Sequence, residues 1–468
     1  MSTVRETHAS DPEIARLVGG ELGEAEARSL LQHLVRCPRC RAQRRPFLAS
    51  LVGVLQGGEA EQRPLPETAY AEAFAQAEAA ALREAERWAG EHAWRERLSE
   101  AAQGRLPFRF PGSVEALFGG LSRKAPGFAV VEALLSLSQQ ERYRDPESME
   151  ALALSAVTAA MGIGARRLDK GRYTALQCGD LQARALGELA NAYRLNHNIE
   201  LAASTLDQAQ AHLEEHGSGE DPRSEIRLLD IWASLYLDQR RLTPAFDYLD
   251  QVRESYLELG ETHLAGRALI KKGIATAYDE RFQEAAACFR EGLSLLDRAR
   301  DPQLVVNANY ELVYSLINCE KFREARDLLF TSGLRQAFAE DPLNRQKLDG
   351  LDGKIAYGLG KVQQAEGIFQ RVKAEMEACG RRYVAAMVGL ELTAAYLRQG
   401  KAEEAEAEAA RSLETFKELK VSYEARRAVI QLHEACRIRR ATAALALRVV
   451  RYLQQLENNP AARFELKP

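Results

Sequence analysis

The chain has 468 residues, about three average domains, and its 63 basic and 67 acidic residues give a formal net charge of −4. This near-neutral balance excludes a chain that is basic throughout, so we expect no direct nucleic-acid binding. Hydrophobic residues at 46% exclude a wholly disordered chain, and 7% aromatics with abundant alanine predict an all-α fold.

The sequence shows no membrane span or signal region, and this together with its cysteine usage predicts a soluble, cytoplasmic protein. No apolar run approaches the roughly 18 residues of a membrane span, and the first residues, MSTVRETHASDPE, lack an apolar signal region. The chain has seven cysteines, and only the first two are close in sequence, which favours a reducing compartment over a disulfide framework.

Residues 1–56 predict a small helical module. Ser10 or Asp11 can cap a first helix, Glu13 can complete a capping box, and Gly19-Gly20 ends that helix. A second helix is expected from about residue 24 to residue 36. The module therefore differs in character from the rest of the chain.

The end of that second helix predicts a zinc site. His33 and Cys37 are four residues apart and share a helix face, while Pro38 lets the chain turn so that Cys40 folds back. One imidazole and two thiolates then converge, and His8 is the natural fourth ligand for a tetrahedral, structural or redox-sensitive zinc ion. The alternative is that these are incidental residues of a helix end.

The segment HASDPEIARLVGGELGEAEARSLLQHLVRCPRC resembles the zinc-finger domain of bacterial anti-sigma factors. The resemblance covers about 50 residues and implies that His33, Cys37 and Cys40 are zinc ligands. It also implies that the module sequesters a sigma factor and so regulates transcription. Many members of that family carry a transmembrane helix, which this sequence does not show.

Residues 57–112 predict a linker and a helical connector. The stretch GGEAEQRPLP at 57–66 predicts a flexible break, and the Ala- and Glu-rich residues 67–102 predict a helix. Glycines and prolines in QGRLPFRFPGS at 103–113 then end that helix.

Residues 113–421 predict helical repeats. Six segments end in an alanine that follows an apolar residue and two variable residues; the first interval between these alanines is 43 residues and the next four are 40 each. This pattern resembles tetratricopeptide repeats over about 180–420, which implies an α-solenoid of antiparallel helix pairs. Residues 422–468 are expected to cap the repeats. The alanines are Ala202, Ala245, Ala285, Ala325, Ala365 and Ala405.

The residue 18 positions before each alanine should face the groove, because the resemblance places it early in the first helix of each pair. Four of the six residues are basic, which predicts a row of cations for an acidic peptide or protein partner. The alternative is that they are solvated charges at exposed helix starts. The row is Arg184, Arg227, Arg267, Asn307, Lys347 and Met387.

No phosphate-binding loop, nucleophile elbow or HExxH motif is present in the sequence, and we predict that the chain is not an enzyme. The main hypothesis is a protein-interaction regulator that holds a sigma factor through its zinc module and a second protein through its repeats. The alternative is a tetratricopeptide adaptor or scaffold, or a substrate of a partner protease in a stress or defence system, whose zinc finger is only structural.

Overall fold

The structure is a computed structural model. The zinc ligands predicted at His8, His33, Cys37 and Cys40 lie outside the described residues, as do most of the connector, the break at 57–66 and residues 103–112 of the second break. The described residues are 87, 89–102, 113–142, 144–163, 169–219, 222–459, 462 and 464.

Every regular element in these described residues is helical, which confirms the predicted all-α class. The chain forms two units. The first comprises the described residues up to Leu235 with Glu254–Gly260, and the second comprises Tyr236–Arg253 and the described residues from Glu261 onward.

The first unit contains six helices of its own and a 3-10 turn at Leu121–Arg123, and helices α7 and α8 contribute residues to both units. The helices are α1 (89–102), α2 (Val114–Phe118), α3 (Gly127–Glu141), α4 (Pro146–Met161), α5 (Ala175–Leu195), α6 (Ile199–His216), α7 (Pro222–Asp238) and α8 (Leu242–Glu258).

The second unit continues the helix pairs. Its helices are α9 (Thr262–Tyr278), α10 (Phe282–Leu295), α11 (Pro302–Asn318), α12 (Phe322–Thr331), α13 (Leu334–Ala337), α14 (Pro342–Gly358), α15 (Val362–Ala378), α16 (Arg382–Arg398), α17 (Ala402–Glu418), α18 (Tyr423–Arg437) and α19 (Ala443–Asn458).

The helix starts follow from local chemistry. The Asp301 carboxylate caps α11 by accepting from the backbone N–H of Leu304, and the Asp341 carboxylate caps α14 in the same way. A proline occupies the first turn of both helices, where its missing N–H costs nothing. The first helices α9, α11, α14 and α16 begin at residues 262, 302, 342 and 382, so the 40-residue period is confirmed.

Most of these helices have 17 residues and are joined by three-residue turns. The middle residue of the turn from first to second helix has positive φ, for example +81° at Gly360 and +59° at Glu320. In these two turns the backbone N–H of Lys361 donates to Ala356 O and that of Lys321 to Leu316 O, which satisfies carbonyls left unpaired at the helix end.

The six alanines of the repeat pattern lie at the seams between helices, and each is at most 1% exposed. Glycines let the helices approach one another even more closely at these seams. A Cβ on Gly273 would lie 2.7 Å from Phe289 Cε1, and one on Gly353 would lie 2.5 Å from Phe369 Cε1. The same glycine–phenylalanine contact therefore recurs 80 residues later, where the small residue lets two helices approach and the ring fills the seam.

Candidate functional site

The predicted groove residues of the first unit are held in ion pairs. The guanidinium of Arg184 on α5 pairs with the carboxylate of Glu132 on α3. The guanidinium of Arg227 on α7 donates from Nε to Glu188 Oε1 at 2.6 Å and from Nη1 to Asp230 Oδ2 at 2.7 Å. Glu188 and Asp230 are buried, so the charge of Arg227 is balanced within the protein.

Burial alone would lower the pKa of Arg227. The carboxylates of Glu188 and Asp230 outweigh that effect, and the pKa lies above its ordinary value. Gln139 adds a hydrogen bond from its Nε2 to Glu188 Oε1 at 3.0 Å. This cluster is a cross-link between helices α3, α5 and α7.

The predicted groove residues of the second unit differ in exposure. Arg267 on α9 is partly buried, whereas Asn307 on α11 and Lys347 on α14 are exposed. Asn307 Oδ1 accepts a hydrogen bond from Gln303 Nε2 at 3.1 Å. Met387 on α16 is only 8% exposed because it belongs to the apolar cluster that α19 shares with α16. The sequence pattern placed these residues in one row but did not show which of them can reach a ligand.

The second unit contains a cleft of about 190 Å³ where the first helices α11, α14 and α16 meet α19. We call the surface formed by the first helices α9, α11, α14 and α16 the first-helix face. The cleft has an apolar wall and a polar rim. The wall includes Ile317, Phe322, Phe369, Leu447 and Val450, and the polar groups are Asn318, Glu320, Lys354, Glu391, Arg451 and Gln454.

An ion pair lines the cleft. The Nζ atom of Lys354 on α14 lies 3.0 Å from Glu391 Oε1 on α16, and the two side chains are 24% and 7% exposed. Burial alone would lower the pKa of Lys354, but Glu391 and Tyr314 raise it above its ordinary value. The ammonium also lies 5.9 Å from the centre of the Tyr314 ring. Lys354 is therefore charged at neutral pH.

Two adjacent side chains of helix α11, Tyr310 and Glu311, have raised pKa values. Burial, with a smaller contribution from Glu311, raises the pKa of Tyr310 to about 12. Burial raises the pKa of Glu311 to about 7, although Lys347 acts in the opposite direction. Glu311 therefore keeps its proton to a higher pH than an exposed glutamate does.

Helix α19 forms one wall of the cleft. Thr442 caps its start by accepting from the backbone N–H of Leu445. Ala446, Val449, Val450 and Leu453 follow the i, i+3, i+4, i+7 spacing, and each is at most 4% exposed. They pack in one apolar cluster with residues of α16 and α18.

The position of α19 departs from the repeat order. A regular second helix would pack chiefly on its own first helix, α18, whereas α19 lies on α16, the first helix of the preceding pair. The outward side of α18 carries the exposed side chains of Arg427, Glu434 and Arg437. The apolar spacing of α19 was readable in the sequence, but its partner surface was not.

No family model matches the chain, and no curated protein matches it. Among solved structures it is similar to a Rap protein complexed with the competence and sporulation factor, at 13% identity and a TM-score of 0.46, covering 71% of this chain and 88% of that one. It is also similar to the apo form of RapI, at 14% identity and a TM-score of 0.41, covering 62% and 99%.

A third similar structure is aspartyl phosphate phosphatase F from Bacillus subtilis, at 13% identity and a TM-score of 0.40, covering 88% of this chain and 96% of that one. At such identities and scores, the function of this chain has to be argued from its own residues.

Two further features bear on function. No group of three or more His, Cys, Asp or Glu side chains in the described part of the chain could hold a metal ion. None of the helices in that part is long and apolar enough to cross a membrane. The predicted zinc site stays a prediction, because its four residues lie outside the described ranges.

Proposed function

We propose that this chain is a protein-interaction adaptor whose second unit binds a segment of a partner protein at the cleft on the first-helix face. The observation that carries the proposal is the cleft itself, which combines an apolar wall with polar groups at its rim. Binding sites in proteins have this composition, because apolar area provides affinity while a few placed polar groups provide orientation. This proposal corresponds to the adaptor alternative considered above.

A protein segment suits this surface better than a nucleic acid. Nucleic-acid binding needs many cations free to meet phosphates, and Arg184, Arg227 and Lys354 are each paired with a carboxylate. The net charge of −4 also gives no long-range attraction for a polyanion.

An acidic partner remains a separate proposal for the row of predicted groove residues. Reversing the charge of Arg184 or Arg227 would break internal ion pairs, and so would not report on a ligand. Lys347 is exposed, so Lys347→Glu is the appropriate variant. If an acidic segment lies along the row, this variant weakens partner binding; unchanged binding would contradict the proposal.

The adaptor proposal is tested by filling the cleft. Leu447→Trp places an indole at the apolar wall, and Ala444→Trp places the same group on an exposed position of the same helix. We expect affinity capture from the native host to yield a partner with the unmodified chain and with Ala444→Trp, but not with Leu447→Trp. Equal capture by both tryptophan variants would contradict the proposal, provided that their thermal unfolding is alike.

The N-terminal module carries its own proposal. We propose that His8, His33, Cys37 and Cys40 bind one zinc ion and that the module contacts a sigma factor, as its resemblance to anti-sigma factors implies. The support is the spacing of the ligands in the sequence. Full-length protein should then contain one zinc ion per chain by elemental analysis, and Cys37→Ser with Cys40→Ser should lose both the zinc and the sigma factor. Retained sigma-factor capture by that double variant would contradict the anti-sigma role.

A further inference from the structure

The polar groups of the cleft also indicate which chemical group it recognises, an inference that rests on the proposed peptide-binding role. Lys354 carries one positive charge and Glu391 one negative charge, and the pair is only partly accessible to solvent. Arg451 lies 4.0 Å from Glu320 at the rim, so the charges that line the cleft balance. A charged ligand group placed beside this pair would be desolvated without a full counter-charge, which is costly. The cleft is therefore matched to a neutral group.

The pair has hydrogen-bonding groups beyond the contact between its two members. An ammonium has three N–H donors, and Glu391 Oε1 is the one acceptor that Lys354 Nζ meets within the described part of the chain. A carboxylate has two acceptor oxygens, so Glu391 Oε2 is a further acceptor beside the ammonium. One side of the cleft thus offers donors and an acceptor close together.

A carboxamide complements this arrangement, because its carbonyl accepts from the ammonium while its N–H donates to the carboxylate. Backbone amides and the side chains of Asn and Gln carry this group. A carboxylate ligand would meet Glu391 with no hydrogen to donate, and an ammonium ligand would meet Lys354 with no lone pair to accept.

The cleft also has an apolar wall, and its volume is sufficient for a ring. An engineered apolar cavity of about 150 Å³ is known to bind benzene, and this cleft has about 190 Å³. The side chains of Phe322, Phe369 and Leu447 form apolar surface along it.

We propose that the cleft recognises a neutral amide next to a phenyl-sized apolar group, and so binds an internal peptide segment rather than a charged chain terminus. The amide lies between Lys354 and Glu391, and the apolar group lies against Phe322, Phe369 and Leu447. Helix α19 supplies part of this binding site through Leu447 and Val450.

Three small probes of matched shape test this proposal: phenylacetamide, phenylacetate and 2-phenylethylammonium. The full-length protein is titrated with each, and binding is read from the methyl NMR signals of Leu447 and Val450. We expect phenylacetamide to bind at least about tenfold more tightly than either charged probe, because only the amide satisfies both partners. Equal or tighter binding of a charged probe would overturn the proposal, as would no shift with any probe.

Three variants assign the effect. Leu447→Trp should abolish binding of all three probes, read from Val450, whereas Ala444→Trp should leave it unchanged. The double variant Lys354→Met with Glu391→Leu should remove the preference for the amide; a preference that persists would contradict the role of the ion pair. Failure here leaves partner capture at the cleft possible, so the amide proposal and the adaptor function are tested separately.

Discussion

The ammonium of Lys354 lies 3.0 Å from the carboxylate of Glu391, so an ion pair joins two successive first helices, α14 and α16, at the cleft. Removing one partner leaves the other charge largely buried and uncompensated. We expect Lys354→Met to lower the free energy of unfolding of the second unit by about 3 kcal/mol.

The double variant Lys354→Met with Glu391→Leu is the control, because replacing a buried ion pair by apolar side chains is often close to neutral. Urea unfolding followed by circular dichroism measures both. A double variant as unstable as Lys354→Met alone would contradict this account of the pair.

Breaking the cross-link at Arg227 should lower the free energy of unfolding of the first unit by more than Lys354→Met lowers that of the second. Arg227→Met leaves the buried carboxylates of Glu188 and Asp230 without their cation, which should cost about 3–5 kcal/mol. The matched control is Arg253→Met, whose ion pair with Glu291 is longer, at 3.5 Å, and more exposed. That variant should cost less than about 1 kcal/mol. Similar thermal shifts for the two variants would show that burial does not set the strength of these pairs.

Adding a single methyl group at a glycine in a helix seam should destabilise the protein. A Cβ on Gly353 would lie 2.5 Å from Phe369 Cε1, so Gly353→Ala must displace the ring or separate α14 from α15. We expect a loss of about 2 kcal/mol in unfolding free energy. Gly350 lies on the same helix with nothing within 4 Å of its Cβ position. Gly350→Ala should therefore be neutral or stabilising by up to about 1 kcal/mol, and destabilisation by both variants would contradict the seam argument.

Glu311 predicts a pH dependence of stability. Its pKa is raised to about 7 in the folded protein, chiefly by burial, with Lys347 opposing the shift. Between the ordinary pKa and about 7 the folded state holds a proton that the unfolded state has released. The stabilisation is therefore complete below about pH 4.5 and is lost as the pH rises through about 7, a change of the order of 3 kcal/mol.

Glu311→Gln removes this titration. We expect the urea midpoint of the unmodified chain to fall between pH 5 and pH 7.5 by more than that of Glu311→Gln. Parallel profiles for the two proteins would mean that Glu311 titrates normally in the folded state.

The sequence was sufficient to predict the repeat and its seams, because the period depends on local spacing. The alanines at 40-residue intervals identified the helix contacts. In the structure Gly360 and Gly400 lie in turns and have positive φ. In an equivalent turn Glu320 adopts the same conformation, so residue type alone did not identify every turn.

The chemistry of the sites depended on contacts that spacing does not encode. Arg184 meets a carboxylate 52 residues away, and Arg227 meets one 39 residues away, so the charge of each arginine is compensated by a partner that the repeat pattern could not show. The packing of α19 on α16 likewise depends on tertiary contacts that the repeat pattern does not show, and this packing forms one side of the cleft. A periodic pattern predicts which side chains share a face, but not which of them remain available to a ligand.

Photo-crosslinking in the native host can show directly whether the cleft is the protein-binding site. A benzoylphenylalanine replaces Gln454 at the rim of the cleft, or Phe330, which is 84% exposed on α12, and the crosslinked segments are identified by mass spectrometry. We expect position 454 to capture an internal segment of one partner protein, and position 330 not to capture it. Capture of the same segment at both positions, or no crosslinked protein at position 454, would contradict the claim that the cleft is the protein-binding site.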